Sequence, residues 1–260
     1  MSSNSHGFTN EIYMSNYLNN KKFCKLNSNF QNFISFVFNR HISSDEIISS
    51  DILKKIEGKN PKPDIWIKIG NEIKYISIKE GSGNSVHQEP LNDFCDFLKQ
   101  IKISNDNINN LRFYHYGDDT LEGNGKTRFS TAEIKSKYSD KIFSVNKELN
   151  LPKNLIKILN RILFVGVFQK PIIVDAIYHG SIEDGVYANR EEIINYLITT
   201  TNINEMTGIQ FSQLTYQPWT RDQFRSVAHP DRRYIMQVKW GSMTNCIKLI
   251  AKGRKNNGNK

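Results

Sequence analysis

Residues 63–79, PDIWIKIGNEIKYISIK, decide how this chain is read. Ile65, Ile67 and Ile69 alternate with polar or exposed-type positions, Gly70-Asn71 offers a two-residue turn, and apolar alternation resumes through Ile73 to Ile78. That period of two, interrupted by a glycine turn, is the mark of a β-hairpin. Asp64 opens the first strand, and Ser77 and Lys79 lie near the end of the second, with twelve residues between Asp64 and Ser77. A chain that doubles back at the turn brings those two ends together. Side chains two apart share a strand face, so Tyr75, Ser77 and Lys79 project together while Ile76 and Ile78 face the other way.

An aspartate and a lysine at one end of a hairpin suit metal-dependent phosphodiester hydrolysis. A divalent cation offsets charge on the scissile phosphate and generates the nucleophile from water. Mg²⁺ prefers a few carboxylate oxygens and keeps several waters. The order Pro63-Asp64, twelve residues, then Ser77-Ile78-Lys79 resembles the PD-(D/E)xK nuclease superfamily over the hairpin and the helix after it. The resemblance implies an α+β restriction-endonuclease-like core, Asp64 as a metal ligand, and Lys79 assisting the attacking water. Ser77 stands where the family has its second acid, and a hydroxyl is a weak substitute for a carboxylate. The resemblance therefore names Glu89, ahead of the following helix, as the acid completing the metal site, followed in preference by Glu46 and Glu11. Glu57 is a further N-terminal acid.

The rest of the chain is compatible with such an enzyme. Its 260 residues allow one large domain or two modest ones, and 38% hydrophobic content argues for a folded protein. The three cysteines are scattered and outline neither a disulfide framework nor a zinc cluster. No apolar run nears the roughly 20 residues of a membrane span, and no secretory h-region opens the chain, so a cytoplasmic protein is expected. The net charge is +9, with 20 Lys and Arg against 18 Asp and Glu in residues 1–150 but 15 against 8 in residues 151–260. A basic second half fits a polyanionic partner.

The expected organisation is a catalytic core over residues 1–150 and a strand-rich DNA-binding region over 151–260, with a soft boundary near 145–152. Helices are predicted at SNFQNFISFVF, at SSDEIISSDILKKIEG behind a Ser43–Glu46 capping box, at PLNDFCDFLKQIKI, after Pro152, and at NREEIINYLI capped by Asn189. Strands are predicted at 111–116, 172–179, 209–216, 234–240 and 246–251.

Gly81, Ser82, Gly83 and Asn84 follow the catalytic strand, where glycines let backbone N–H groups approach a phosphate. EGNGKT (122–127) lacks the first glycine of a nucleotide-binding loop, since Thr120 occupies it, and leaves Lys126 and Arg128 as candidate phosphate contacts. HPDRRYIMQVKW (229–240) repeats a Pro-Asp, but five residues between Asp231 and Gln237 cannot hold a hairpin. With Arg221, Arg225, Arg232, Arg233, Gln237 and Lys239 it is the expected DNA contact, because Arg and Lys pair with guanine and Gln with adenine. The resemblance, with the basic second half, implies a Mg²⁺-dependent type II restriction endonuclease acting on double-stranded DNA, as a homodimer or a monomer. The alternatives are a structure-specific repair or recombination nuclease and a noncatalytic DNA-binding protein on a nuclease-like fold.

Overall fold

The computed structural model of the chain describes residues 4–56, 58–81, 85–125, 127–219 and 229–257. The hairpin forms where the alternation puts it: β3 (Ile65–Ile69) and β4 (Glu72–Lys79) pair antiparallel across Gly70, whose φ of 60° suits a residue without a Cβ. Around it runs a six-stranded mixed sheet in the order β1-β2-β3-β4-β6-β7, with β1 (Lys21–Lys22), β2 (Ile47–Ile52), β6 (Ala176–Gly180) and β7 (Gly185–Asn189). β4 pairs parallel with β6, and the other neighbours are antiparallel.

One face of this sheet is covered by α1 (Asn4–Leu18) and α2 (Ser28–Phe38). The Asn27 side chain caps α2 by accepting from the Phe30 N–H at 2.9 Å, and Phe30, Phe33, Ile34 and Phe38 turn inward at helical spacing. They meet Ile65, Ile67, Ile76, Ile78 and Tyr178 in one apolar cluster, joined by Met14 and Leu18 of α1. The α1 and α2 helices, the six strands, residues Leu163–Tyr196 and the helix Met243–Asn257 belong to one compact unit: Met1–Gly83, Leu163–Tyr196 and Ser242–Lys260.

The second unit comprises Asn84–Ile162 and Leu197–Gly241. Its four-stranded antiparallel sheet has the order β5-β10-β9-β8, from β5 (Ser85–Pro90), β8 (Gln210–Phe211), β9 (Leu214–Pro218) and β10 (Ile235–Lys239). Around this sheet are α3 (Leu91–Gln100), α4 (Asn105–Tyr116), α5 (Thr131–Lys137), α6 (Ser139–Leu149) and α7 (Pro152–Leu159). Phe94, Phe211, Tyr114 and Tyr216 form its aromatic centre.

The chain therefore does not divide near 145–152: each unit is assembled from separated segments, so no single composition shift marks the border. Four element expectations also change, and in one of them the single strand expected at 209–216 is turned at Ser212, with φ 55°, into the antiparallel pair β8 and β9. Residues 111–116 are helical, within α4, capped by the Ser104 side chain and stopped at Gly117 with φ 57°; the Ile108 and Leu111 spacing outweighs the strand preference of its aromatics. The Ser43–Glu46 box closes a turn, with the Ser43 N–H donating to Glu46 at 2.8 Å, and the chain then enters β2 rather than a helix. The apolar run at 246–251 lies inside the helix Met243–Asn257.

Candidate active site

Asp64 directly precedes β3, and its backbone N–H donates to the Ile76 carbonyl at 2.8 Å, which ties the strand start to β4. Its carboxylate oxygen Oδ2 accepts from the Ser77 hydroxyl at 3.0 Å, the Ile78 backbone N–H at 2.6 Å and the Lys79 ammonium at 3.0 Å. Lys79 Nζ also donates to the Ile78 carbonyl at 2.8 Å. All three bonds to Asp64 converge on Oδ2, which leaves Oδ1 outside them. The side chains of Asp64 and Lys79 remain 18% and 23% exposed, enough for a ligand to reach them, whereas Ser77 is buried. Ser77 is thus a fixed donor to the carboxylate, which is a positioning task rather than that of a second acid.

The acid that joins this group is Glu11, on α1. Partial burial, reinforced by the negative charge of Asp64 and opposed by Lys79, pushes its carboxyl up to about 7. Two carboxylates and one ammonium therefore interact at one end of the hairpin. The sequence reading ranked Glu11 third, behind Glu89 and Glu46. A signal was available: Glu11, Met14 and Leu18 fall at i, i+3 and i+7, so the carboxylate continues the buried stripe of its helix. One histidine that no sequence argument singled out stands beside this group in the sheet, His179. It lies opposite Lys79 in the parallel β4–β6 register, with its Nε2 3.0 Å from Thr244 Oγ1.

Glu89 belongs to the second unit, on β5 opposite Met236. Arg161 grips it with Nε–Oε1 at 3.0 Å and NH2–Oε2 at 2.5 Å, and His87 Nε2 lies 2.9 Å from Oε1. Burial would raise its carboxyl, but these hydrogen bonds and charges leave it below the usual carboxylate range. Both oxygens are already engaged, so the expectation that Glu89 supplies the missing acid to Asp64 gives way to Glu11. Glu46 is engaged too: the Arg40 hydrogen bond and the Ser43 N–H hold it down to about 2.

The expected DNA-contact residues divide in the same manner. Gly81 is exposed with φ 63°. Arg128 is buried and donates to the Tyr114, His115 and Phe129 carbonyls, so it braces the loop after α4 instead of projecting from it as a surface phosphate contact. Within that loop Asp118 accepts from Thr120 and the Gly125 N–H. A Cβ at Gly125 would stand 2.7 Å from Asp118, so the glycine-bearing stretch is shaped by a buried aspartate and not by a phosphate. Arg233 pairs with Asp118 at 2.6 Å. Arg232 is exposed, its guanidinium 5.3 Å from the Trp219 ring centroid. Gln237 and Lys239 share one face of β10 and are partly exposed. Ser82, Gly83, Asn84, Lys126, Arg221, Arg225 and Glu57 lie outside the described residues.

Among the described residues, no three His, Cys, Asp or Glu side chains form a ready-made metal cage. The donor set at the hairpin nevertheless fits a hard divalent cation, which uses one or two carboxylates and retains water. It does not fit a four-ligand zinc centre. Among the described residues, no helix is long and apolar enough to cross a membrane.

A mixed sheet whose central hairpin carries an aspartate and a lysine at one end is a restriction-endonuclease-like fold. Among solved structures it is similar to that of restriction endonuclease MspI in complex with its cognate DNA, with a TM-score of 0.56 and 14% identity. The match covers 92% of this chain and 93% of that one. At the level of sequence, no family model and no curated protein matches the chain.

Proposed function

We propose that this protein is a Mg²⁺-dependent endonuclease that hydrolyses phosphodiester bonds in duplex DNA at a short specific sequence. The observation that carries this reading is the convergence of Lys79 and Ser77, through hydrogen bonds of 3.0 Å, onto one carboxylate oxygen of Asp64, with Glu11 beside them. Asp64 and Glu11 would hold the cation. Bound there, Mg²⁺ would supply charge neutralisation at the phosphate and a lowered pKa for water.

The protein's own groups have separate tasks. Ser77 and the Ile78 N–H orient the Asp64 carboxylate by donating to Oδ2. Lys79, held between Asp64 and the Ile78 carbonyl, orients the attacking water and offsets charge developing on the phosphate. The second unit, rich in outward polar side chains on β9 and β10, would grip and read the duplex. The net charge of +9 supports association with a polyanion.

Purified protein incubated with supercoiled plasmid and Mg²⁺ is expected to give discrete fragments, and none with chelator. Scattered ends across many sequences would instead favour a structure-specific nuclease. Metal-dependent binding without cleavage at high protein concentration would favour a noncatalytic DNA-binding protein. Cleavage by Asp64→Asn at the wild-type rate would remove the site assignment.

A further inference from the structure

The four-stranded sheet carries a row of glutamines that no catalytic task employs. Gln237 of β10 lies opposite Gln88 of β5 on one side and opposite Gln217 of β9 on the other. The row crosses three adjacent strands on a single face, with Lys239 and Thr215 paired beside it. The alternate residues Met236, Val238 and Tyr216 are fully buried on the opposite face. The glutamine face is accessible: Gln88 is exposed, and Gln237 and Gln217 are partly so.

These amides do not satisfy one another. Gln88 Nε2 donates to Gln237 Oε1 over a long 3.4 Å, and among the described residues the buried Gln217 Oε1 has no hydrogen-bond partner. A buried acceptor left without a donor destabilises the fold. Gln217 also lines a cavity of about 180 Å³, together with Gln210, Thr215 and Lys135. An unmet acceptor on a flexible, partly exposed side chain and a weak amide pair leave amides that a turn of the side chain presents to an external hydrogen-bonding partner.

We infer that the Gln88–Gln237–Gln217 row reads base edges in the major groove of duplex DNA and selects A·T pairs. Each glutamine amide presents a donor and an acceptor side by side, the complement of adenine N6 and N7. Neighbouring strands lie roughly 4.8 Å apart, so the row spans about 10 Å. At about 3.4 Å per base step, that length covers about three steps of one duplex strand. The major groove is wide enough for a β-ribbon. Lys239, on the same face, is suited to a phosphate or a guanine edge. This assignment rests on the proposed action on DNA and deepens it by naming the bases read.

The test is selection from a random duplex library by the full chain carrying Asp64→Asn, so that binding is read without cleavage. The expected consensus contains at least one A·T pair. Gln237→Leu and Gln217→Leu, with thermal melting to verify folding, are each expected to relax one base pair of that consensus by roughly tenfold or more. Gln237→Glu keeps an acceptor but loses the donor, and is expected to shift that position toward cytosine, whose N4 donates. A consensus of G·C pairs alone, or one that all three variants retain, overturns the glutamine assignment and leaves the nuclease reading standing. Failure to bind any duplex overturns both. A retained consensus with no cleavage by the wild-type chain supports base reading and overturns the nuclease reading alone.

Discussion

Asp64 in the six-stranded sheet and Glu89 in the four-stranded sheet are both carboxylates held by a cationic side chain. Asp64 keeps 18% of its side chain exposed, bonds through one oxygen, and shares its lysine with a second acid, Glu11. Glu89 is 1% exposed and bonds through both oxygens, to Arg161 and His87. With its acids ionised, the first group has an excess of negative charge. The second is neutralised within itself. Excess negative charge beside an accessible oxygen suits a divalent cation, whereas a saturated ion pair only secures the fold. The difference lies in the number and direction of partners, not in the presence of an acid near a strand end.

The sharpest break of that comparison exchanges the expected roles. Lys79→Ala and Asp64→Asn are expected to lower plasmid cleavage by roughly 10²–10³-fold, since each removes a group acting on the developing charge or its counter-ion. Glu89→Gln should instead leave the Mg²⁺ requirement of the folded protein unaltered while costing about 3–5 kcal/mol in urea unfolding. It strands the Arg161 guanidinium, only 17% exposed, without its counter-charge. If Glu89→Gln abolished cleavage at unaltered stability, Glu89 would regain the metal-ligand role first expected of it.

Glu11 gives a finer discrimination. Glu11→Gln removes one carboxylate but keeps the size and the helix. The Mg²⁺ concentration for half-maximal cleavage is expected to rise roughly 10–100-fold. Stability should stay level or increase, because a partly buried negative charge beside Asp64 is gone. An unaltered metal titration would exclude Glu11 from the cation site.

How much of this was legible in the sequence depended on how far apart the interacting residues lie. The β3–β4 hairpin was readable because alternation, turn and partner are all local. Asp64 and Lys79 came with it, since the doubling back is set by the same residues. The pairing of β5 with β10 joins Glu89 to Met236, and nothing near Glu89 announces that partner or Arg161. Glu89 was thus placed simply ahead of the following helix, with its carboxylate available. Residues 47–52 were misread for another reason: the Ser43–Glu46 bond that starts a helix equally closes a turn. Glu11 was visible only to an argument that follows Met14 and Leu18 one helical turn backward.

The smallest expected effect contrasts the units by pH. In the second unit, His115 is fully buried, its Nε2 2.8 Å from the Arg233 carbonyl and its Nδ1 2.6 Å from the Tyr216 hydroxyl. The neutral ring satisfies both by donating from Nε2 and accepting at Nδ1. Burial pushes its pKa down to about 3, with the nearby arginine charges acting in the same direction. An unfolded histidine titrates near 6.5, so between about pH 6.5 and 3 the unfolded chain binds a proton that the folded chain refuses. The stability associated with His115 is therefore complete above about 6.5 and is lost as pH falls toward 3. The limiting slope is about 1.4 kcal/mol per pH unit. Urea midpoints should fall across this window for the wild-type chain and fall less steeply for His115→Gln, whose amide can donate to Arg233 and accept from Tyr216 without titrating. Equal slopes in the two proteins would show that another group governs the acid sensitivity of this unit.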